Sequence, residues 1–378
     1  MMTTPLWSEL ELPTAPEVPT LSGGATTEVL VVGLGASGLA AAREAARLGA
    51  GVLAIDAKGL AAGAAGRNGG LVMVGGARFH HDAIATWGAE RADAILRLTA
   101  EERDRQVVEL PYIVRRTGSL RVAGDEAEAA DVLAQHDAMR AAGLEVALVE
   151  GERTTLSIPG DAACNPVARV RAMASRAAAS GVRFAATGPV DPLGADGTLV
   201  RTPAGTIAAE HVLVCVDGGL EHVVPALAGR VRTTRLQMLA FAAEGGSCPV
   251  PVYARWGYEY AQQLPDGRIV VGGMRDRFVD EEWDAPAEPS AALQAELEAW
   301  ARAAFGTRAP VTHRWAGRVA YTDSKLPVCG RVGEAWVAGA YSGMGNVLGV
   351  LAGRAIARAA VTGDTALADV LGGPETRG

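Results

Sequence analysis

Val29-Leu30-Val31-Val32-Gly33-Leu34-Gly35-Ala36-Ser37-Gly38 runs from four apolar residues into a glycine-rich turn. An alanine-rich helix is predicted from the turn to about Leu48, followed by a second apolar strand, Val52–Ile55, ending on Asp56. Each part has a task in binding a dinucleotide. Gly33 permits the tight turn, Gly35 lets the backbone approach a pyrophosphate, and Gly38 lets helix and strand pack closely. The helix N-terminus offers N–H groups and a positive dipole to phosphates. Asp56, eighteen residues beyond Gly38, stands where a carboxylate would accept from ribose hydroxyls. Six spaced residues alone would fit any glycine-tolerant helix start; the complete strand–turn–helix–strand context points to the dinucleotide.

Around this unit the chain is ordinary globular material. It has 378 residues, 49% apolar and 21% charged, enough for one large domain or two intertwined ones. No run approaches the roughly 20 apolar residues of a membrane span. No basic segment precedes an apolar stretch at the N-terminus, so no secretory signal is expected, and a cytoplasmic location is. The net charge of −8, with no long basic cluster, argues against a nucleic-acid partner. Cys164, Cys215, Cys248 and Cys329 lie far apart without CxxC or Cys/His ligand spacing, which favours buried reduced thiols over disulfides or a metal site. The pair His80-His81 reads as surface or pocket lining rather than a ligand set.

Residues 1–25 are polar and punctuated by Pro5, Pro13, Pro16 and Pro19. They read as an extended arm, either pinned to the body by Trp7 and Leu10 or disordered. Residues 58–78, rich in glycine and alanine, read as a close-packed loop near a ligand. Helical periodicity marks 82–110, 125–142, Pro166 to Ser180 and Leu293–Phe305. Strand patterns mark Tyr112–Val122 around Thr117-Gly118, Val182–Phe184, Leu199–Arg201, His211–Val216, Arg232–Ala243, Val252–Leu264 and Arg268–Gly273. The tail predicts a strand Trp336–Ala340, a glycine turn Tyr341–Gly345 and a helix to about Val361. The predicted fold is α/β: a doubly wound, Rossmann-like domain with an interleaved α+β substrate domain on an antiparallel sheet. The expected division assigns 1–85, 145–230 and 311–378 to the nucleotide domain and 86–144 with 231–310 to the substrate domain.

Ala65-Gly66-Arg67-Asn68-Gly69-Gly70 follows the first glycine turn by about thirty residues. Near the end stand Trp315-Ala316-Gly317-Arg318, Tyr321-Thr322, Lys325–Arg331 and Val337-Ala338-Gly339-Ala340-Tyr341-Ser342-Gly343-Met344-Gly345. Together these segments resemble the D-amino-acid-oxidase-like superfamily of FAD-dependent oxidoreductases, the glycine, sarcosine and γ-glutamylputrescine oxidase type, over nearly the whole chain. The resemblance implies FAD held by Gly33, Gly35, Ala36, Ser37, Gly38, Asp56 and Ala57. It also implies Arg67, Asn68, Gly69 and Gly70, with the loop backing the flavin. Val190 would lie near the adenine, and Cys215-Val216-Asp217-Gly218 would close a strand beside the cofactor. Gly339, Ser342, Gly343, Met344, Gly345 and Asn346 would form the closing turn, aiming a helix at the flavin pyrimidine ring, where reduction places negative charge.

Two departures bear on chemistry. Sarcosine-type members carry a flavin-linked cysteine, and glycine-type members a carboxylate-clamping arginine, in a register that falls on Val319 here. A dissociable, non-covalent FAD is therefore expected, and a compact α-amino carboxylate clamp is not. Arg318 is adjacent, but neighbouring strand residues face opposite ways. The lysine that assists oxygen in some sarcosine-type members falls on Val270 or Val271. Substrate-pocket candidates are Arg255, Trp256, Tyr258, Tyr260 and Gln262. Period-2 alternation places Trp256, Tyr258 and Tyr260 on one face; Tyr321 and Met344 would flank the same space. Tyr258, Tyr260, Tyr321 and Met344 are thus the candidate catalytic residues. The reaction implied is oxidation of a small amine or amino acid: hydride passes from the carbon next to nitrogen to flavin N5, an imine forms, and O2 reoxidises the flavin to give H2O2. The alternative is an FAD-dependent dehydrogenase of a 2-hydroxy acid or amino acid that delivers electrons to a quinone or protein. No metal is implied, and the oligomeric state is open.

Overall fold

A computed structural model describes residues 4–193 and 198–377. The chain divides into two compact units, each assembled from separated segments. The first comprises the described residues up to Leu10, Arg67–Pro166 and Arg235–Gly317; the second comprises Glu11–Gly66, Val167–Thr234 and the described residues from Arg318 onward.

The second unit is built on a sheet in the order Val328–Val332, Ala335–Gly339, Gly205–Val214, Ala25–Val32, Val52–Asp56, Arg183–Ala186, with Leu199–Thr202 added beside Gly205–Val214. The five strands from Ala335–Gly339 to Arg183–Ala186 run parallel. The central strands are apolar on both faces, as parallel strands covered by helices must be. Leu30, Val32, Leu53, Ile55, Val212, Val214 and Val337 form one buried cluster. The Ala36–Arg47 and Leu348–Thr362 helices approach closely because small residues line their contact. A Cβ on Gly353 would stand 2.1 Å from the Ser37 carbonyl oxygen, and Ala36, Ala40 and Val350 pack together.

The first unit carries an eight-stranded sheet in the order Val311–Tyr321, Arg232–Phe241, Ile269–Gly273, Glu259–Gln263, Val252–Ala254, Ser119–Val122, Thr155–Ile158, Ala147–Val149. One face is covered by the Ala291–Phe305 helix, whose Leu293, Leu297 and Ala301 pack on Leu239, Phe241, Ala261 and Val271. A three-stranded sheet joins Leu71–Val72, Ala162–Cys164 and Val114–Arg116. That pairing draws 67–85 and 145–166 into this unit, where the sequence placed them with the nucleotide domain; residues up to Leu10 and 311–317 belong here as well.

Two local readings are corrected and a third is decided. The helix predicted over 82–110 is two helices, His80–Trp87 and Ala89–Glu109, parted at Gly88 by its left-handed backbone (φ 84°). Of the two readings of the arm, the pinned one holds at Trp7 but not at Leu10: Leu6–Glu9 forms a 3₁₀ turn with Leu6 and Trp7 fully buried, while Leu10 is only half-buried. Most consequentially, Val252–Leu264 is not one strand. Val252–Ala254 and Glu259–Gln263 are antiparallel partners, joined by a 3₁₀ turn at Arg255–Gly257 in which Arg255, Trp256 and Gly257 all have positive φ. The cause is Glu128, buried on the Glu126–Ala141 helix. Its carboxylate gathers the N–H groups of Gly124 (2.7 Å), Arg255 (3.0 Å) and Trp256 (2.6 Å). Gly257 must be glycine for a second reason, since a Cβ there would lie 1.9 Å from the Tyr253 hydroxyl oxygen. Trp256, Tyr258 and Tyr260 therefore do not share a strand face. Trp256 is exposed on the turn and donates to Asp131 (2.7 Å), and the cross-strand neighbour of Tyr260 is Tyr253.

All four cysteines are free and buried. Among the described residues, no helix is long and apolar enough to cross a membrane, and no cluster of three His, Cys, Asp or Glu side chains is spaced to hold a metal ion.

Candidate active site

In the second unit, the turn after the first strand has the steric signature its sequence suggests. Gly33 takes φ 111°, and a Cβ on it would meet the Cys215 carbonyl oxygen at 2.5 Å. A Cβ on Gly38 would stand 1.8 Å from the Gly33 carbonyl oxygen, so only glycine lets the helix lie against the strand. Gly35 differs. Its backbone is extended (φ −82°), and a Cβ would touch only the Ala65 methyl at 3.3 Å. As the N-cap it brings no side chain to the helix, and the first turn, containing Ala36 and Ser37, holds no acidic residue. The result is a helix N-terminus with bare backbone donors and an undiminished positive end. Asp56 accepts from Leu34 N–H (3.0 Å) with one oxygen and from Lys58 and Gly59 N–H (2.7 and 2.9 Å) with the other. It thus braces the glycine turn. Ala57 next to it is exposed, and Val190 packs at the edge of the sheet core.

The closing turn follows the Ala335–Gly339 strand. Ala340, Ser342 and Gly343 all take positive φ (55°, 51° and 93°). Two of the three are not glycine, a cost borne only where surroundings enforce the conformation. Ser342 N–H donates to Ala320 O (3.1 Å), Met344 N–H to Tyr341 O (3.0 Å), and a Cβ on Gly345 would press on the Tyr341 ring at 3.1 Å. Gly339 is held by the Val216 carbonyl, 2.4 Å from where a Cβ would be. Met344 is buried and Tyr321 half-buried, the latter beneath the Lys325 ammonium at 5.2 Å from its ring centre. No side chain caps the Leu348–Thr362 helix that starts here, and no acid lies in its first turn.

Two residues the sequence reading did not single out support this turn. Arg169, fully buried on the Pro166–Ala178 helix, donates to the side-chain and backbone oxygens of Asn346 (3.2 and 2.5 Å). Asp217 accepts from Tyr341 N–H (3.3 Å) and Ala320 N–H (3.4 Å), tying the turn to Ala320 within the same unit. Withdrawal from water pushes the Asp217 carboxyl up to about 7, against the pull of these N–H groups. No periodicity predicts either contact; the acid in Cys215-Val216-Asp217-Gly218 was the available signal.

In the first unit, the Arg67–Gly70 loop is locked on both sides. The indoles of Trp7 and Trp315 donate to the carbonyls of Asn68 and Arg67 (2.9 Å each), and their rings meet edge to face at 6.1 Å. Arg67 donates to Ala316 O (3.1 Å), and burial lowers its pKa. The Asn68 side chain accepts from Gly70 N–H (2.8 Å), closing the turn. Gly69 lies against the sheet. A Cβ there would meet the Tyr260 ring at 3.0 Å, and Gln262 donates to Gly69 O at 2.5 Å. Tyr260 and Gln262 thus share the sheet face under this loop. Tyr258, at the end of the 3₁₀ turn, is half-buried with the Arg275 guanidinium 5.2 Å from its ring. Val319 is buried, and an Arg318 guanidinium nitrogen lies 3.7 Å from where a Cβ on Gly219 would be.

The donor chemistry of the second unit fits FAD. An uncapped helix N-terminus behind a glycine that a Cβ would fill suits a pyrophosphate, and a second uncapped N-terminus suits the anionic flavin ring. Gly33, Gly35, Ala36, Ser37 and Gly38 would hold the former; Ser342 to Asn346 would face the latter.

The comparisons agree. A curated relative, the probable oxidoreductase OrdL of Rhizobium meliloti (strain 1021), is 26% identical over 96% of this chain and 89% of its own. Glycine oxidase from Geobacillus kaustophilus superposes with a TM-score of 0.72 at 20% identity, covering 90% of this chain and 96% of that one. L-proline dehydrogenase from P. horikoshii superposes at 0.73 with 19% identity, covering 93% and 96%. The sequence pattern of the DAO family, described as FAD dependent oxidoreductase, matches residues 28–359. A dinucleotide cradle, a second helix N-terminus and a family match spanning most of the sequence lead to one conclusion: this chain is an FAD-dependent oxidoreductase of the DAO family.

Proposed function

We propose that the protein oxidises an amine or amino acid at the carbon next to nitrogen, with FAD held non-covalently and O2 as the acceptor. The carrying observation is the Arg67–Gly70 loop, the element tied by resemblance to the amine-oxidising branch. It is anchored by Trp7 and Trp315 and seated on Tyr260 and Gln262 of the substrate sheet. Bound FAD would supply the redox chemistry: a hydride from the substrate carbon and the proton lost from its nitrogen together reduce O2 to H2O2. The chain's own part is to bind, orient and exclude water. Tyr260 and Tyr258 supply aromatic surface for an amine-bearing substrate, with cation–π attraction if it is charged. The uncapped start of the Leu348–Thr362 helix would stabilise negative charge on the flavin when bound, and Tyr321 and Met344 would wall the same turn. Val319, unable to form a thioether, leaves the flavin dissociable.

A dehydrogenase reading has one observation in its favour. Val270 pairs with Gln262 and so lies on the loop-facing side of the sheet, leaving an aliphatic residue where an oxygen-assisting lysine would stand. Anaerobic bleaching of the flavin by primary amines, secondary amines, α-amino acids and 2-hydroxy acids, followed by air, tests both. Bleaching by amines or amino acids with rapid recovery and peroxide supports the oxidase. Bleaching with slow recovery supports the dehydrogenase, and bleaching by hydroxy acids alone refutes amine oxidation.

A further inference from the structure

Three neighbouring parallel strands of the second unit end side by side. Ala25–Val32 runs into the Gly33–Gly38 turn, Ala335–Gly339 runs into the closing turn, and Gly205–Val214 lies between them. Ligands of such sheets bind beyond the carboxyl ends of the strands, so the residues that follow the middle strand stand between the two anion seats. They are Cys215-Val216-Asp217-Gly218. Cys215 O lies 2.5 Å from where a Cβ on Gly33 would be, and the Val216 side chain lies 3.6 Å from the same point. Val216 O presses on Gly339, and Asp217 accepts from Tyr341 and Ala320 N–H. Val216, Asp217 and Gly218 are half-buried between the buried Cys215 and Gly219, so solvent reaches the strand end at this point.

Asp217 is therefore an acid between two sites suited to negative charge, and it has no counter-ion. Among the described residues, no arginine, lysine or histidine makes an ion pair with it; the groups that favour its charge are the N–H groups of Tyr341, Ala320 and Ala340. Glu221, on the short Leu220–Val223 helix, disfavours the carboxylate and accepts from Thr233 N–H and hydroxyl (3.1 and 3.0 Å). Burial keeps the neighbouring Cys215 and Cys329 thiols and the Tyr341 phenol protonated. The Arg318 guanidinium and the exposed His222 ring lie 3.7 and 3.8 Å from the Gly219 Cβ position. Dense surroundings leave the Asp217 carboxyl at about 7, where a single proton decides its charge.

We infer that FAD binds together with a proton carried by Asp217: the cofactor is held with this carboxyl neutral, and formation of the carboxylate weakens its hold. The pyrophosphate is a dianion, and a carboxylate beside it is repelled unless protonated. The neutral acid can still accept the Tyr341 and Ala320 N–H groups, so the closing turn keeps its support while the negative charge is withdrawn. Negative charge on the cofactor raises the Asp217 pKa above its value in the free protein. Affinity is then full below the free-protein value and falls as pH rises through it. The inference depends on the dinucleotide site alone and not on which substrate is oxidised.

The test is calorimetric titration of FAD into the deflavinated full-length chain at about pH 6, 7, 8 and 9, in paired buffers of different ionisation enthalpy, which reads affinity and proton uptake together. The wild-type Kd should rise at least about tenfold from pH 6 to pH 9, with roughly half a proton or more taken up per FAD near pH 8. Asp217→Asn, a neutral isostere, should level the Kd and bind FAD at about pH 9 as tightly as the wild type does at about pH 6. His222→Gln should keep the wild-type slope. A wild type with a level Kd and no proton uptake overturns the inference without any variant. So does a folded Asp217→Asn that keeps the slope or binds FAD weakly throughout. A His222→Gln that loses the slope also overturns it, because a protonated imidazole would give the same sign. If Asp217→Asn does not fold, the wild-type proton uptake and the His222→Gln slope decide. Flavin bleaching by amines plays no part in these readouts, so failure of the amine-oxidation reading would leave them untouched.

Discussion

Alanine at Gly35 and alanine at Gly38 should have opposite consequences, although the residues are three apart in one motif. At Gly38 the new methyl would lie 1.8 Å from the Gly33 carbonyl oxygen and 3.3 Å from the Cys215 Cβ. Ordinary contact requires the Ala36–Arg47 helix to move off the strand by roughly 1.5 Å, against the Leu348–Thr362 helix on its other flank, which puts the cost near or above the upper end of the ~1–3 kcal/mol for overpacking. The apoprotein Tm should fall on the order of 5–12 °C. At Gly35 the backbone is already in a conformation alanine adopts, and the methyl meets only Ala65 at 3.3 Å. Apoprotein stability should stay within about 0.5 kcal/mol of wild type, or rise slightly because the unfolded chain is restricted. The methyl would, however, stand where the backbone must meet the pyrophosphate, weakening FAD at least about tenfold, or ~1.4 kcal/mol. Differential scanning calorimetry of both apoproteins, with FAD titration by fluorescence quenching, separates the effects. Wild-type FAD affinity in Gly35→Ala would refute this account of the turn. An unchanged apoprotein Tm in Gly38→Ala would refute the helix–strand geometry.

Other outcomes follow from the same structure. Acid precipitation of the holoprotein should release all flavin into the supernatant; colour retained in the pellet would reveal a covalent link despite Val319. Asp217 has its folded pKa raised to about 7, so the folded state holds a proton that the unfolded chain releases near pH 4. Apoprotein stability should therefore fall as pH rises from about 4 to 7, on the order of 2–4 kcal/mol in all. Asp217→Asn should flatten that window, and chemical denaturation across pH would show an unchanged slope if burial of Asp217 is misjudged. The buried Arg235–Glu282 pair joins the Arg232–Phe241 strand to the segment before the Ala291–Phe305 helix, with Nε to Oε2 at 2.8 Å and Nη2 to Oε1 at 2.6 Å. Arg235→Met should cost about 3–5 kcal/mol by stranding Glu282, and the double variant with Glu282→Leu should recover much of it. Denaturant midpoints that are additive across the pair would contradict the coupling.

Much of the nucleotide half was legible in the chain order of residues, because its constraints are local. A tight turn needs Gly33, a close helix needs Gly38, and parallel strands buried on both faces need unbroken apolar runs such as Val29–Val32 and Val52–Ile55. These requirements act over a few residues and so appear as motifs. The family resemblance came from the same kind of segment, and the match to residues 28–359 agrees with it. The substrate half resisted reading where distant groups set local structure. Alternation over Val252–Leu264 describes one strand, but Glu128, more than a hundred residues earlier, collects the Arg255 and Trp256 N–H groups and folds a turn into it. That turn removes Trp256 from the aromatic face and pairs Tyr253 with Tyr260. The ordered arm depends likewise on Trp7 finding Asn68 and Trp315. Sequence by itself determined where the backbone must be bare and tightly turned, hence the cofactor class. Tertiary structure decided which side chains share a face and which charges lack a counter-ion, because hydrogen bonds and burial are settled between segments the chain brings together only on folding.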